Sequence, residues 1–276
     1  MTSQSDKAAT FKALHAGPSV FVIPNPWDAG SAKILAQLGF KALATTSAGL
    51  AFSLGRPDGE AAVGRDEALA HARAIVAATD LPVSADLENL YGDAPAVCAE
   101  TIRQAAATGL AGCSIEDTTG RADDPIYAFD LALARVQAAV AAARALPFPF
   151  TLTARAENFL HGRPDMADTV RRLRAFAEAG ADVLYAPGLT TREQITAVVQ
   201  AVAPKPVNVV MGLAKADFSV ADLGALGVRR ISVGSALARA AYGAFLRAGR
   251  EIAGAGTFAF AKDAVPFAEI NAMFET

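Results

Sequence analysis

The 276-residue chain is poor in the residues that build staples and soft-metal sites, with two cysteines and three histidines. Cys98 and Cys113 are too few for a disulfide framework and lack the paired spacing of a zinc site. His15, His71 and His161 form no ligand pair at helical spacing. Any bound metal must therefore be held by oxygen, which points to a hard cation, Mg2+ or Mn2+, rather than zinc or copper. Charge of one sign is also missing: 25 basic side chains stand against 28 acidic ones, for a net charge of −3, and no like-signed block occurs. That leaves no electrostatic basis for a nucleic-acid groove or an anionic-membrane surface. No window approaches the roughly 18 uncharged residues of a membrane span, and no basic cluster precedes an apolar stretch at the start. The expectation is a soluble, cytoplasmic protein.

What is present is a rhythm. Short apolar runs at 20–24, 42–47, 83–87, 112–116, 150–154, 183–186, 207–210 and 230–233 read as eight strands. Their mean spacing of about 30 residues is one βαβ step. Helical stretches lie between them at 65–78, 94–108, 129–145, 165–179, 191–202, 220–226 and 235–248, and several stop at a glycine just before the next strand: Gly39, Gly109, Gly180 and Gly227. Eight such units fit a closed (β/α)8 TIM barrel in one domain, residues 1–276, of the α/β class. An open doubly wound sheet fits less well, because no Gly-x-Gly-x-x-Gly turn follows the first strand. Beyond the eighth helix, three glycines between 249 and 256 lead to an amphipathic end containing Phe260, Phe267, Ile270, Met273 and Phe274. Residues 257–276 exceed what a barrel needs and are expected to form a C-terminal oligomerisation helix.

Barrel active sites form at the C-terminal ends of the strands. Strand three ends in Asp86-Leu87-Glu88, strand four in Ile115-Glu116-Asp117, and the loop after strand two carries Arg56-Pro57-Asp58. Asp58, Asp86, Glu88 and Glu116 thus converge on one rim, and such crowding calls for a divalent ion. The alternative at each position is a helix cap or a surface ion pair. Strand five supplies Arg155, whose fork suits a carboxylate and whose alternative task is to neutralise Glu157 or Glu116. The backbone amides of Thr46, Ser47 and Ala48 offer a second anion cradle. Together these groups suit a small 2-oxo acid whose 2-oxo group is chelated and whose enolate is stabilised, with chemistry at C3.

Five segments carry a resemblance: Pro24-Asn25-Pro26-Trp27-Asp28-Ala29-Gly30-Ser31, Ser53-Leu54-Gly55-Arg56-Pro57-Asp58, Asp86-Leu87-Glu88-Asn89-Leu90-Tyr91-Gly92, Ser114-Ile115-Glu116-Asp117 and Thr153-Ala154-Arg155-Ala156-Glu157-Asn158. In this order and spacing they resemble the isocitrate lyase and phosphoenolpyruvate mutase superfamily, from about Val20 to Gly234. The resemblance implies a barrel with a C-terminal helix swapped between subunits of a homo-oligomer (dimer or tetramer), binding magnesium and a 2-oxo acid or its enolate. It implies Asp86 as direct metal ligand, with Asp58, Glu88 and Glu116 joined through waters. Catalysis would fall to Asp58, Arg155 and Glu116, and substrate contacts to Arg155, Thr46, Ser47, Ala48 and Asn208.

The chain also departs from that pattern. Glu88 replaces a second aspartate and Leu90 a glycine. The lyase branch's Lys-Lys-Cys-Gly-His loop is here Thr118-Thr119-Gly120-Arg121-Ala122-Asp123-Asp124-Pro125, without a thiol. The mutase branch's histidine after strand six is replaced by Tyr185-Ala186-Pro187-Gly188. Arg121, Asp123 and Asp124 become candidates for contacting the rest of the substrate. The expectation is a magnesium-dependent enzyme that cleaves, hydrolyses or decarboxylates a 2-oxo (di)carboxylic acid. The alternatives are a non-catalytic 2-oxo acid sensor and a phosphonopyruvate-type C–P enzyme. A Schiff-base aldolase would need a strand-end lysine, and only Lys215 follows a strand closely.

Overall fold

A computed structural model describes residues 2–59, 61–212 and 217–275; Lys215 lies outside them. In chain order the elements are α1 (Gln4–Ala16), β1 (Phe21–Ile23), α2 (Ala29–Gln37), β2 (Leu43–Ala44), α3 (Ser47–Ser53), α4 (Arg65–Ala77), β3 (Val83–Asp86), α5 (Pro95–Ala106), β4 (Gly112–Glu116), α6 (Phe129–Arg144), β5 (Thr151–Arg155), α7 (Met166–Glu178), β6 (Val183–Tyr185), α8 (Arg192–Val202), β7 (Val207–Val210), α9 (Val220–Ala225), β8 (Arg230–Ser232), α10 (Ala236–Ala255), a 3-10 turn (Ala259–Lys262) and α11 (Phe267–Ala272).

All strand pairs are parallel, in the order β1-β8-β7-β6-β5-β4-β3-β2. The remaining seam, between β1 and β2, is held by the Ala44 N–H donating to the Pro24 carbonyl at 3.0 Å and by Asn25 Nδ2 donating to the Thr45 carbonyl at 2.9 Å. The result is a nearly closed α/β barrel wrapped by helices. The eight strands fall where the apolar runs lie because helices cover the outer face of a parallel sheet, making that face apolar at every turn. The main core fills the layer between sheet and helices, with Ile75, Ile102, Leu152, Phe176 and Val198 each fully buried.

Sequence reading assigned no helix to residues 4–16, yet α1 forms there, N-capped by Ser3. It plugs the bottom of the barrel by burying Phe11 and Ala8 against Ile23, Ala42 and Ala111. Gln4 Nε2 ties it down through the carbonyls of Ala106 and Leu110, at 2.7 and 2.9 Å.

The C-terminal region also differs from expectation. Gly249 and Gly254 do not end the last barrel helix; α10 runs on to Ala255 and stops at Gly256, whose φ of 64° suits a glycine. Alanine-rich surroundings absorb the roughly 1 kcal/mol that each interior glycine costs. Residues 257–275 hold a 3-10 turn and the six-residue α11 rather than one helix. This end folds back on α2, where Gln37 Nε2 donates to the Met273 carbonyl at 2.6 Å.

Candidate active site

Three strands end in the residues that matter. Asp86 closes β3, Glu116 closes β4 and Arg155 closes β5, and Glu116 sits opposite Arg155 in the register. Side chains alternate across a strand, so Ser84 and Asp86, Ser114 and Glu116, and Thr153 and Arg155 point to the same side, into the barrel. Arg155 Nη1 lies 3.1 Å from Asp86 Oδ1 and 2.8 Å from Glu116 Oε1, while Nε lies 2.5 Å from Glu157 Oε1. Its guanidinium carbon stands 4.9 Å from the centre of the Tyr185 ring. Arg155 thus serves its alternative task as counter-charge to three carboxylates. Nη2 makes no hydrogen bond to the described residues.

Asp86 is fixed from several sides. Its Oδ2 accepts from the Ser47 N–H at 3.2 Å and from Ser47 Oγ at 3.1 Å, and its Oδ1 lies 3.3 Å from Ser114 Oγ. Thr46, Ser47 and Ala48 open α3, with Thr46 as N-cap. One amide of the expected anion cradle, that of Ser47, is therefore given to Asp86. Glu116 Oε2 accepts from Thr118 Oγ1 at 3.1 Å.

The loop after β3 turns sharply, with positive φ at Glu88 (48°), Leu90 (60°) and Tyr91 (62°). A leucine in this conformation costs roughly 1–2 kcal/mol. The loop is held because Leu90 is fully buried and Arg135 donates to the carbonyls of Asn89, Gly92 and Asp93. This buried arginine, which the sequence did not reveal as part of the site, keeps Glu88 aimed at the mouth where the family pattern has a glycine-relaxed turn.

The carboxyls feel one another. Burial, then Asp86 and Asp58, pushes Glu88 up to about 7. Burial, then Asp86, raises Asp58. Glu116 is raised well above the usual range, chiefly by burial and against the pull of Arg155. Arg155 is held firmly charged by Glu116, Glu157 and Asp86 despite its own burial.

A cavity of about 1050 Å3 is lined by Asp58, Glu88, Glu116, Arg121, Arg155 and His161. It adjoins a smaller one of about 210 Å3 lined by Ser47, Asp86, Arg155, Asn208 and Arg230 among others. Arg121 is on the outer wall, half exposed, with Nη1 3.1 Å from Asp93 Oδ2; Asp123 and Asp124 are exposed. Asn208 is buried below the mouth, with Nδ2 donating to Ser232 Oγ at 3.0 Å and Oδ1 accepting from Arg230. The imidazole of His161 was not assigned to the site from sequence; it enters through the loop after β5, which strand periodicity does not place.

The donor set is all oxygen. Among the described residues no three His, Cys, Asp or Glu side chains form a chelating group. The residues fit an ion that takes one or two carboxylates and keeps much of its water, as magnesium does.

An eight-stranded parallel barrel with catalytic-type residues at the C-terminal ends of its strands has the architecture of a TIM-barrel enzyme. Residues 11–253 match the family model for phosphoenolpyruvate phosphomutase. The chain belongs to that family, and with it to the isocitrate lyase/phosphoenolpyruvate mutase superfamily of lyases, hydrolases and mutases. A lyase/mutase candidate from Burkholderia cenocepacia J2315 is 60% identical and superposes with a TM-score of 0.96, covering 99% of this chain and 97% of that one. An oxaloacetate decarboxylase from Paraburkholderia xenovorans is 33% identical over 76% of this chain and 69% of its own. An oxaloacetate acetylhydrolase solved with its product oxalate is 28% identical, with a TM-score of 0.88, covering 99% of this chain and 95% of that one.

Proposed function

We propose that the protein is a magnesium-dependent enzyme acting on a small 2-oxo (di)carboxylic acid through an enolate, breaking a carbon–carbon bond by cleavage, hydrolysis or decarboxylation. The observation that carries this reading is the convergence of Asp58, Glu88 and Glu116 on the larger cavity and of Asp58 and Asp86 on the smaller one that adjoins it, with Arg155 lining both, in a chain similar to an oxaloacetate decarboxylase and an oxaloacetate acetylhydrolase. Asp86 would hold the ion, with Glu116, Glu88 and Asp58 reaching its waters; Mn2+ fits the same donors. The ion, when bound, supplies Lewis-acid stabilisation of negative charge on the 2-oxo oxygen.

The chain's own residues do the rest. Ser47 and Ser114 orient Asp86, Thr118 orients Glu116, and the ring of Tyr185, level with Arg155 on the neighbouring strand, lies against its guanidinium. Arg155 retains Nη2 for a substrate carboxylate. Glu88, near neutrality, can hold or release a proton at the cavity wall. No imidazole follows β6, where Tyr185-Ala186-Pro187-Gly188 stands, which favours carbon–carbon over carbon–phosphorus chemistry.

The C-terminal elements expose Phe245, Phe258 and Phe267 at 72, 66 and 83%. We assign this apolar face to a homo-oligomer contact, a dimer or tetramer built through the 257–276 segment.

The test is incubation with magnesium and C3 to C6 2-oxo acids, oxaloacetate included, with products followed by NMR. Product formation that stops on chelation of the metal is expected. Binding without any turnover would replace the enzyme by a 2-oxo acid sensor, and phosphonopyruvate turnover alone would replace it by a C–P enzyme.

A further inference from the structure

Beneath the acidic mouth the barrel interior is polar. Ser84, Ser114, Asn208, Arg230 and Ser232 line the smaller cavity together with Asp86 and Arg155, at a depth where barrels are ordinarily filled by branched apolar side chains. Arg230, the first residue of β8, is only 6% exposed. Its Nε donates to Asn208 Oδ1 at 2.8 Å, Nη2 donates to Thr153 Oγ1 at 3.0 Å, and Nη1 lies 3.4 Å from His15 Nε2.

His15 Nδ1 faces the Phe11 carbonyl at 2.8 Å, which makes Nε2 the acceptor toward Arg230. Burial, then Arg230, holds His15 down to about 3, so the ring is neutral. Burial pushes Arg230 down to about 10, which leaves it charged at neutral pH. Each of these three partners is neutral, and no carboxylate of the described residues forms an ion pair with Arg230. A buried charge without a counter-charge is costly, and structures keep one where something answers it. Arg155, a like charge, cannot serve as counter-charge to Arg230, and the three carboxylates nearest Arg155 pair with it rather than with Arg230.

We propose that Arg230 is a specificity-determining residue: the unanswered charge below the mouth favours a doubly charged ligand over a singly charged one of the same shape. This rests on the 2-oxo acid reading above. At a separation on the order of 10 Å and an effective dielectric of about 20, one extra unit of ligand charge is worth roughly tenfold in affinity. Arg230 also fixes Asn208, and through it Ser232, so a purely structural role would weaken all ligands alike.

The experiment compares oxalate, a dianion, with glyoxylate, a monoanion of similar size, by calorimetric titration in saturating magnesium. The proteins are wild type, Arg230→Met, Arg230→Gln and Arg230→Lys. The oxalate-to-glyoxylate affinity ratio is expected to fall roughly tenfold in the Met and Gln variants and to recover in the Lys variant. Equal weakening of both ligands, or an unchanged ratio, overturns the proposal. If Arg230→Met does not fold, Arg230→Gln decides, because it keeps a hydrogen-bonding group among Asn208 and Thr153. Wild type that binds neither anion overturns the 2-oxo acid reading itself, whereas binding with an unaltered ratio removes only the role of Arg230.

Discussion

Replacing Glu88 by glutamine should stabilise the metal-free protein at pH 8 and leave it unchanged at pH 4. Glu88 is crowded by Asp86 and Asp58 on a partly buried loop, and its carboxyl moves from 4.5 to about 7. The folded state therefore binds that proton more tightly than the unfolded chain does. Between pH 4.5 and 7 stability falls as pH rises; the penalty is absent below the first value and fully present above the second. A displacement of this size corresponds to about 3 kcal/mol. This is an upper figure, since Glu88 is only partly buried and solvent screens part of the repulsion. Glutamine keeps the shape and the backbone conformation at φ 48° without the charge.

The assay is urea unfolding of wild type and Glu88→Gln in chelator at several pH values. Taking the difference at each pH cancels groups common to both proteins. That matters because His15 is pushed down to about 3 and works in the opposite direction below pH 6.5. The difference should grow from near zero at pH 4 to about 3 kcal/mol at pH 8. Magnesium at pH 8 should then stabilise wild type more than the variant, because an ion that needs the Glu88 charge binds the folded state better when that charge is present. A difference that does not vary with pH, or a variant less stable than wild type at pH 8 in chelator, refutes the electrostatic reasoning.

Three further outcomes follow from the same geometry. Asp86→Ala should abolish magnesium-dependent oxalate binding while the thermal transition stays cooperative; unchanged affinity by titration would contradict the metal assignment. Arg155→Met leaves Glu116 and Glu157 buried without their counter-charge, so it should destabilise by about 3–5 kcal/mol at pH 8. Both carboxyls lie above their ordinary values chiefly through burial, so the loss should shrink as pH falls toward 5 and they take up protons; equal losses at pH 5 and pH 8 in denaturant unfolding would count against the ion-pair account. Phe245→Ser combined with Phe267→Ser should reduce the mass seen by light scattering without changing the far-ultraviolet spectrum, and an unaltered mass would remove the C-terminal contact.

How much of this was legible in the sequence depends on the range of the forces involved. The strands were readable to within a few residues because burial by covering helices is a local compositional signal, and 112–116 and 207–210 coincide with β4 and β7. The ends of β3, β4 and β5 brought Asp86, Glu116 and Arg155 forward for the same reason: the last inward residue of a barrel strand is at the mouth. Helix α1 was missed because its opening is polar and its apolar contacts, Phe11 and Ala8, are made with distant strands.

The partnerships inside the barrel were out of reach for a different reason. Which side chains meet is set by the stagger of eight strands, and no single strand states it. The family resemblance marks Asn208 as a substrate contact, and the register adds what no single strand states, that it stands opposite both Tyr185 and Arg230. Closure then places its amide between Ser232 and a guanidinium, on the wall of the cavity that Asp86 and Arg155 also line. The same register sets Glu116 opposite Arg155, so the ion pairing that the sequence offered only as an alternative for Glu116 or Glu157 extends to both and to Asp86 as well. On the proposed reading the acids make the mouth receptive to a cation, and the arginine offsets their repulsion in its absence. A site assembled in this way should therefore be most stable with its ion bound and least stable as a bare, fully ionised cluster, which is the ordering that the Glu88 series measures.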